Sequence, residues 1–215
     1  MSLKTIIDSF EKDLEEKVKA RDDVVAICRK LITLSKQAVM AVHRDELGKA
    51  RGKLIEAKKM LGQVDEILLS HRDVSVNIAR VARQEYAEAE ILLRLVETEK
   101  FPGPGELGVP EIPYLLGLAD SIGEFRRRAL ESLRRRNLEV AERSLQIMDE
   151  IYSELIVLEN ISSLAPELRR KCDVARRIIE VTIGDIATET GRSSLERSIE
   201  HLEKLIKNTK SYYSG

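Results

Sequence analysis

Four of the five prolines of this chain fall between residues 102 and 113, interleaved with Gly103, Gly105 and Gly108. Proline and glycine are the strongest local breakers of regular structure, so this stretch is the one obvious loop. On either side of it the apolar side chains recur close to every 3.6 residues, the period of a helix with one buried face. Ile6, Phe10, Leu14, Val18, Val25, Cys28, Leu31, Leu34 and Val42, for example, all follow one another at helical intervals. The spacing predicts an all-α fold of seven helices. The first covers residues 3–42, the second 46–70 and the third 74–99, with Ser70 and Asp73 as capping residues between the last two. The fourth opens at Pro110 to Pro113, where proline suits a first turn, and runs to residue 135; the fifth covers 137–162. Pro166 opens the sixth, Gly191 closes it, and Ser193 or Ser194 caps a seventh that fades at Tyr212 and Tyr213.

Composition agrees with this reading. The 215 residues are 43% hydrophobic, enough for the core of one helical domain spanning 1–215. Aromatics are only 4% and charged residues 34%, the balance of long helices with aliphatic cores and charged outer faces, which excludes a β-sandwich. A first helix of this length would extend for about 60 Å and cannot bury its whole stripe in one small globule, so association with copies of itself is expected. The formal net charge is −1, so no global basic field draws the chain to nucleic acid or membrane. No long apolar run occurs, and the N-terminal stretch MSLKTIIDSFEKDLEEK is charged and amphipathic, which points to a soluble, cytoplasmic protein with no membrane partner. Cys28 and Cys172 lack metal-ligand spacing and read as buried thiols.

The segment IARVARQEYAEAEILLRLV, residues 78–96, is the most informative. Ile78, Ala82, Tyr86, Ala89, Leu92, Leu93 and Val96 share one broad face of a helix, and Glu85 and Glu88 lie within that face. A carboxylate buried without a cation costs several kcal/mol or shifts its pKa, so two of them a turn apart need positive partners. Those partners are either lysines or arginines of a neighbouring helix, or a divalent metal held by carboxylates and water. A second pair, Asp120 and Glu124, stands four residues apart, opposite the apolar face formed by Leu115, Leu118, Ile122, Phe125, Ala129 and Leu133. Pattern alone places that pair on a solvated face. Gly117 and Gly123 flank it, each costing about 1 kcal/mol relative to Ala inside a helix, which suggests close approach by another helix or a ligand.

Arginines crowd nearby. Residues 111–136 carry six bases against four acids, whereas 137–165 carry one base against six acids. Carboxylates beside arginines are what a metal-dependent phosphodiester enzyme needs, the first for the metal and the second for backbone phosphates; such runs are also common as ordinary solvated faces. Arg127 and Arg128, with Arg83 on the earlier helix, are the candidate phosphate contacts. His43, His71 and His201 are scattered, which gives no support to a zinc or Ser-His-Asp site, and no phosphate-cradling glycine loop is present.

ARQEYAEAEIL (82–92), PYLLGLADSIGEFRRRAL (113–130) and LRRKCDVARRIIEVTIGDI (168–186) together resemble the translin family, in order and across nearly the whole chain. The QE-x-x-EA and GLAD-x-x-GE-x-x-R strings carry the likeness. The resemblance implies a seven-helix protomer in a hollow octamer that binds single-stranded RNA or DNA. In the branch called translin-associated factor X it implies an Mg²⁺-dependent endoribonuclease site facing the cavity, with Mn²⁺ as the alternative ion. That site falls on Glu85, Glu88, Asp120 and Glu124, as metal ligands and catalytic residues. Between the second and third helices the chain offers only His71, Arg72, Arg80 and Arg83 as a basic cluster. The expected function is thus metal-dependent cleavage of single-stranded RNA within a homo-oligomeric shell. With few aromatics for stacking, recognition should rest on phosphates. A binding scaffold without activity, and a helical interaction protein with neither property, are the other readings. In the last of these, Glu85 and Glu88 would each pair with a cation.

Overall fold

The computed structural model describes residues 2–158 and 166–213, with side chains through residue 207. Among the described residues there is no strand, and seven helices follow one another: α1 (Leu3–His43), α2 (Leu47–Ser70), α3 (Asn77–Thr98), α4 (Pro104–Leu107), α5 (Glu111–Arg134), α6 (Leu138–Val157) and α7 (Pro166–Tyr213). The all-α fold and the number of helices are as expected; the partition differs in two places. The proline–glycine stretch contains the one-turn helix α4, and residues 166–213 form a single helix where two were predicted. Gly191 does not end it because a glycine stops a helix only when the chain turns into the left-handed region, and the glycine that does so is Gly108 (φ 72°). Arg192, paired with Glu189 at 3.9 Å and Glu196 at 3.4 Å, bridges the predicted break.

Smaller boundaries shift as well. Asn137 caps α6 as expected, its side chain accepting from the Val140 amide at 3.2 Å. Ser70 instead donates back to the Glu66 carbonyl at 3.0 Å, Asp73 pairs with Lys17 at 3.1 Å, and α3 begins three residues later than expected. The predicted end of the fifth helix, residues 159–162, lies outside the described residues.

The core forms where α1, α2 and α3 meet α5, α6 and α7, with the α3–α5 seam in the middle. Leu31, Leu54, Tyr86, Leu92, Leu116, Phe125 and Met148 are at most 1% exposed there, each contributing about 1.5–3 kcal/mol of burial. Both cysteines are buried, and neither is in a disulfide. The long helices overrun this core. Leu3, Ile7, Phe10, Leu14 and Val18 of α1 remain 53–74% exposed, and Leu195, Ile199, Leu202 and Ile206 of α7 remain 48–63% exposed. No helix among the described residues is long and apolar enough to cross a membrane.

One close approach sets the seam. A Cβ on Gly117 would lie 2.7 Å from the Gln84 carbonyl oxygen and 2.9 Å from the Glu88 amide nitrogen, so only glycine lets α5 rest on the α3 backbone there. That contact brings the two acid-bearing stretches together.

Candidate active site

On α3, Tyr86, Ala89, Leu92 and Leu93 point into the core, and Glu85 and Glu88 are half-buried at its edge. Glu85 reaches Lys36 of α1 at 3.6 Å, a pair whose lysine is largely exposed. Glu88 makes no hydrogen bond or ion pair among the described residues.

Asp120 and Glu124 are also half-buried, which corrects their assignment to a solvated face. The signal lay one turn earlier. Leu116, fully buried, and Gly117, pressed on α3, sit four and three residues before Asp120 and so share its face. The helix is buried on more than one side because it packs against α3, α6 and α7 at once, and a single apolar arc cannot represent that.

Asp120 and Glu124 each have a partner. Asp120 Oδ2 accepts from Gln84 Nε2 at 2.6 Å, and Oδ1 accepts from Lys171 Nζ of α7. Glu124 Oε2 lies 2.5 Å from Nε2 of His43, the buried last residue of α1, whose Nδ1 has no partner. Glu88 meets the resulting field. Burial pushes its carboxyl up to about 8, the negative charges of Asp120, Glu85 and Glu124 push the same way, and the Lys171 ammonium opposes them. The cluster is therefore a set of four carboxylates close enough to act on one another, with all-oxygen donors of the kind that suit a hard divalent cation. No three acidic, histidine or cysteine side chains among the described residues are arranged to hold a metal ion, and Lys171 and His43 contact Asp120 and Glu124.

The predicted arginines are placed differently from one another. Arg83 is half-buried against Asp65 of α2, beside the buried Cys28 thiol. Arg128 reaches Asp45 at 3.6 Å, an acid it shares with Arg135, while the exposed Arg127 lies 4.0 Å from Glu131. Arg80, in the first turn of α3, is held by both oxygens of Glu167 at 2.5 and 3.0 Å. Sequence reasoning missed His43, Gln84 and Lys171. His43 and Glu124 are 81 residues apart, and Lys171 and Asp120 are 51 apart, so no local spacing could reveal either contact.

Seven helices around a glycine-tight seam that gathers four carboxylates define an all-helical protein with an acidic, oxygen-donor centre. The Translin family's sequence profile matches residues 19–180, a span that holds every residue of this centre, and the chain belongs to the Translin family. An uncharacterized protein of Methanocaldococcus jannaschii is 30% identical over 194 residues, covering 89% of this chain and 85% of that one. Among solved structures, AfC3PO matches with a TM-score of 0.81 and 28% identity, over 86% of this chain and 97% of that one. AfC3PO in complex with duplex RNA gives 0.80 and 28%, with the same coverage of both chains. Apo-NeC3PO gives 0.78 and 25%, over 85% of this chain and 96% of that one.

Proposed function

We propose that the protein is a factor X-like member of the family, an Mg²⁺-dependent endoribonuclease that cleaves single-stranded RNA within a homo-octameric shell in the cytoplasm. The observation that carries this reading is Glu88: a half-buried acid with three acids around it and no cation partner among the described residues. A purely structural pair of glutamates would have cations on both members. The likeness to AfC3PO, whose structure includes a complex with duplex RNA, supports RNA as the ligand.

In this reading Glu85, Glu88 and Asp120 hold Mg²⁺, or Mn²⁺ in its place. The bound ion supplies a Lewis acid that lowers the pKa of water and offsets charge on the phosphate. Were Asp120 to hold the ion, Lys171, which now contacts it, would be available to a phosphate oxygen. Glu124 is fixed through Oε2 by His43, leaving Oε1 to orient the attacking water or accept its proton. No histidine or lysine nucleophile is needed. The exposed stripes of α1 and α7 supply apolar surface for association of the protomers.

Glu88→Ala and Asp120→Ala should each abolish Mg²⁺-dependent cleavage of a single-stranded RNA, with loss of 10²-fold or more, while light scattering shows the oligomer unchanged. Undiminished cleavage by both variants rejects the site. A second reading, RNA or single-stranded DNA binding without cleavage, is favoured by the Lys171–Asp120 contact, which already neutralises one acid. It predicts salt-sensitive binding and no product on adding Mg²⁺.

A further inference from the structure

Gly117 and Gly123 both weaken α5 as a helix, and only the first is explained by packing. A Cβ on Gly123 would meet nothing within 4 Å, and its backbone is ordinary helix, so neither a neighbour nor a left-handed φ calls for glycine. The surface on both sides of it is concave. One cleft of about 350 Å³, between α5 and α7, is lined by Asp120, Gly123, Arg170, Lys171 and Val174. A second, of about 510 Å³, is lined by Gly123, Arg126, Arg127, Glu131 and Arg134. Gly123 is the residue they share, and a side chain there would stand between them.

The two clefts therefore form one trough along α5 from Asp120 to Arg134. At 1.5 Å per residue it is roughly 21 Å long, about six nucleotides at a stacked rise of 3.4 Å. Its floor is apolar, from Ala119, Leu130, Val174, Ala175 and Ile178, and its charge is cationic: five basic residues against Asp120 and Glu131. Lys171 holds Asp120, Arg127 lies 4.0 Å from Glu131, and Arg126 is tied to the Ile178 carbonyl at 3.2 Å. Arg170 and Arg134, one near each end, are exposed and make no ion pair among the described residues. No aromatic side chain lines either cleft, so there is no platform for bases. A narrow, extended, cationic track without stacking groups fits a chain of evenly spaced phosphates.

We propose that the trough along α5, kept open at Gly123, is the track on which the phosphodiester backbone of RNA lies as it enters the acid cluster. Arg170 and Arg134 anchor phosphates at its two ends, and Lys171 stands where the track meets Asp120. The inference rests on the RNA reading above. It moves the phosphate contacts away from Arg83 and Arg128, which are engaged by Asp65 and Asp45.

The test uses the full-length oligomer in EDTA, with a fluorescein-labelled 12-nucleotide oligouridylate followed by anisotropy, and a duplex of the same length in parallel. Gly123→Ala, Gly123→Leu and Gly123→Trp should weaken binding progressively with side-chain size, the last by at least tenfold, with thermal melting showing each variant folded. Arg170→Ala and Arg134→Ala should each flatten the dependence of log Kobs on log salt by about 0.7 for the single strand. Lys49→Ala, distant from the trough in α2, should change neither. Wild-type binding with unchanged affinity in Gly123→Trp and unchanged salt slopes in both arginine variants overturns the track while leaving the RNA reading standing. Failure of the wild type to bind either probe overturns both.

Discussion

On α5, Asp120 is held by Gln84 and Lys171 and Glu124 by His43; across the seam on α3, Glu85 reaches only the exposed Lys36 and Glu88 reaches no cation among the described residues. All four are partly buried, Glu88 deeply enough that burial is the first cause of its raised pKa, and the pairs differ further in what packs beside them. Asp120 and Glu124 face the last residue of α1 and the second turn of α7, which carry His43 and Lys171. Glu88 lies in the field of Asp120, Glu85 and Glu124, opposed only by the Lys171 ammonium. The acids of one half are thus held by side chains of α1, α3 and α7, whereas Glu88 in the other half is partly buried among carboxylates that raise its pKa and that an external cation would offset.

The contrast can be broken first at the seam itself. Gly117→Ala places a methyl 2.7 Å from the Gln84 carbonyl, and the overpacking should lower stability by about 1–3 kcal/mol in urea unfolding despite alanine's better helix propensity. A variant as stable as the wild type would mean that the helices separate at no cost and the acids are not pressed together.

Glu88→Gln sharpens the electrostatic half. The folded carboxyl is raised to about 8, above its unfolded value, so it binds its proton more tightly when folded. The stability it contributes is fully present below the unfolded pKa and is lost as pH rises through about 8. Melting temperatures of wild type and Glu88→Gln, compared from pH 4.5 to pH 9, should therefore diverge with rising pH in favour of the variant, by up to several kcal/mol at the alkaline end. Parallel curves would place Glu88 outside the field of its three neighbours. The wild type alone should gain melting temperature with Mg²⁺ at pH 8.

The smallest effects compare the two lysines. Lys171→Met leaves Asp120 without its cation and should cost about 1 kcal/mol in the metal-free protein above pH 5. Lys36→Ala, which removes an exposed partner at 3.6 Å, should cost less than about 0.5 kcal/mol. Equal costs in thermal melts at pH 7 would erase the distinction between the two halves.

The sequence was readable wherever a single helix face carried the signal. Glu85 and Glu88 stood out because they interrupt the apolar arc of residues 78–96, and their half-buried positions agree. The resemblance to the translin family supplied Asp120 and Glu124, which pattern alone assigned to solvent. Arg83 is a second case: its charge suggested a phosphate, and the structure pairs it with Asp65 of the neighbouring helix. Gly191 shows a third, since a glycine is a helix stop only if the chain beyond it has reason to turn.

Periodicity, the proline–glycine loop and helix length by themselves determined an all-α chain, the position of most helices and the overrun of α1 beyond the core. These are local properties, set by side-chain sequence over a few turns. Tertiary structure alone decided that Gly117 sits on the backbone of α3, that Gly123 lies between two clefts, and that His43 and Lys171 contact Glu124 and Asp120 while Glu88 makes no ion pair among the described residues. Those contacts join residues 29 to 81 positions apart, and their geometry depends on how whole helices cross, which no local pattern encodes.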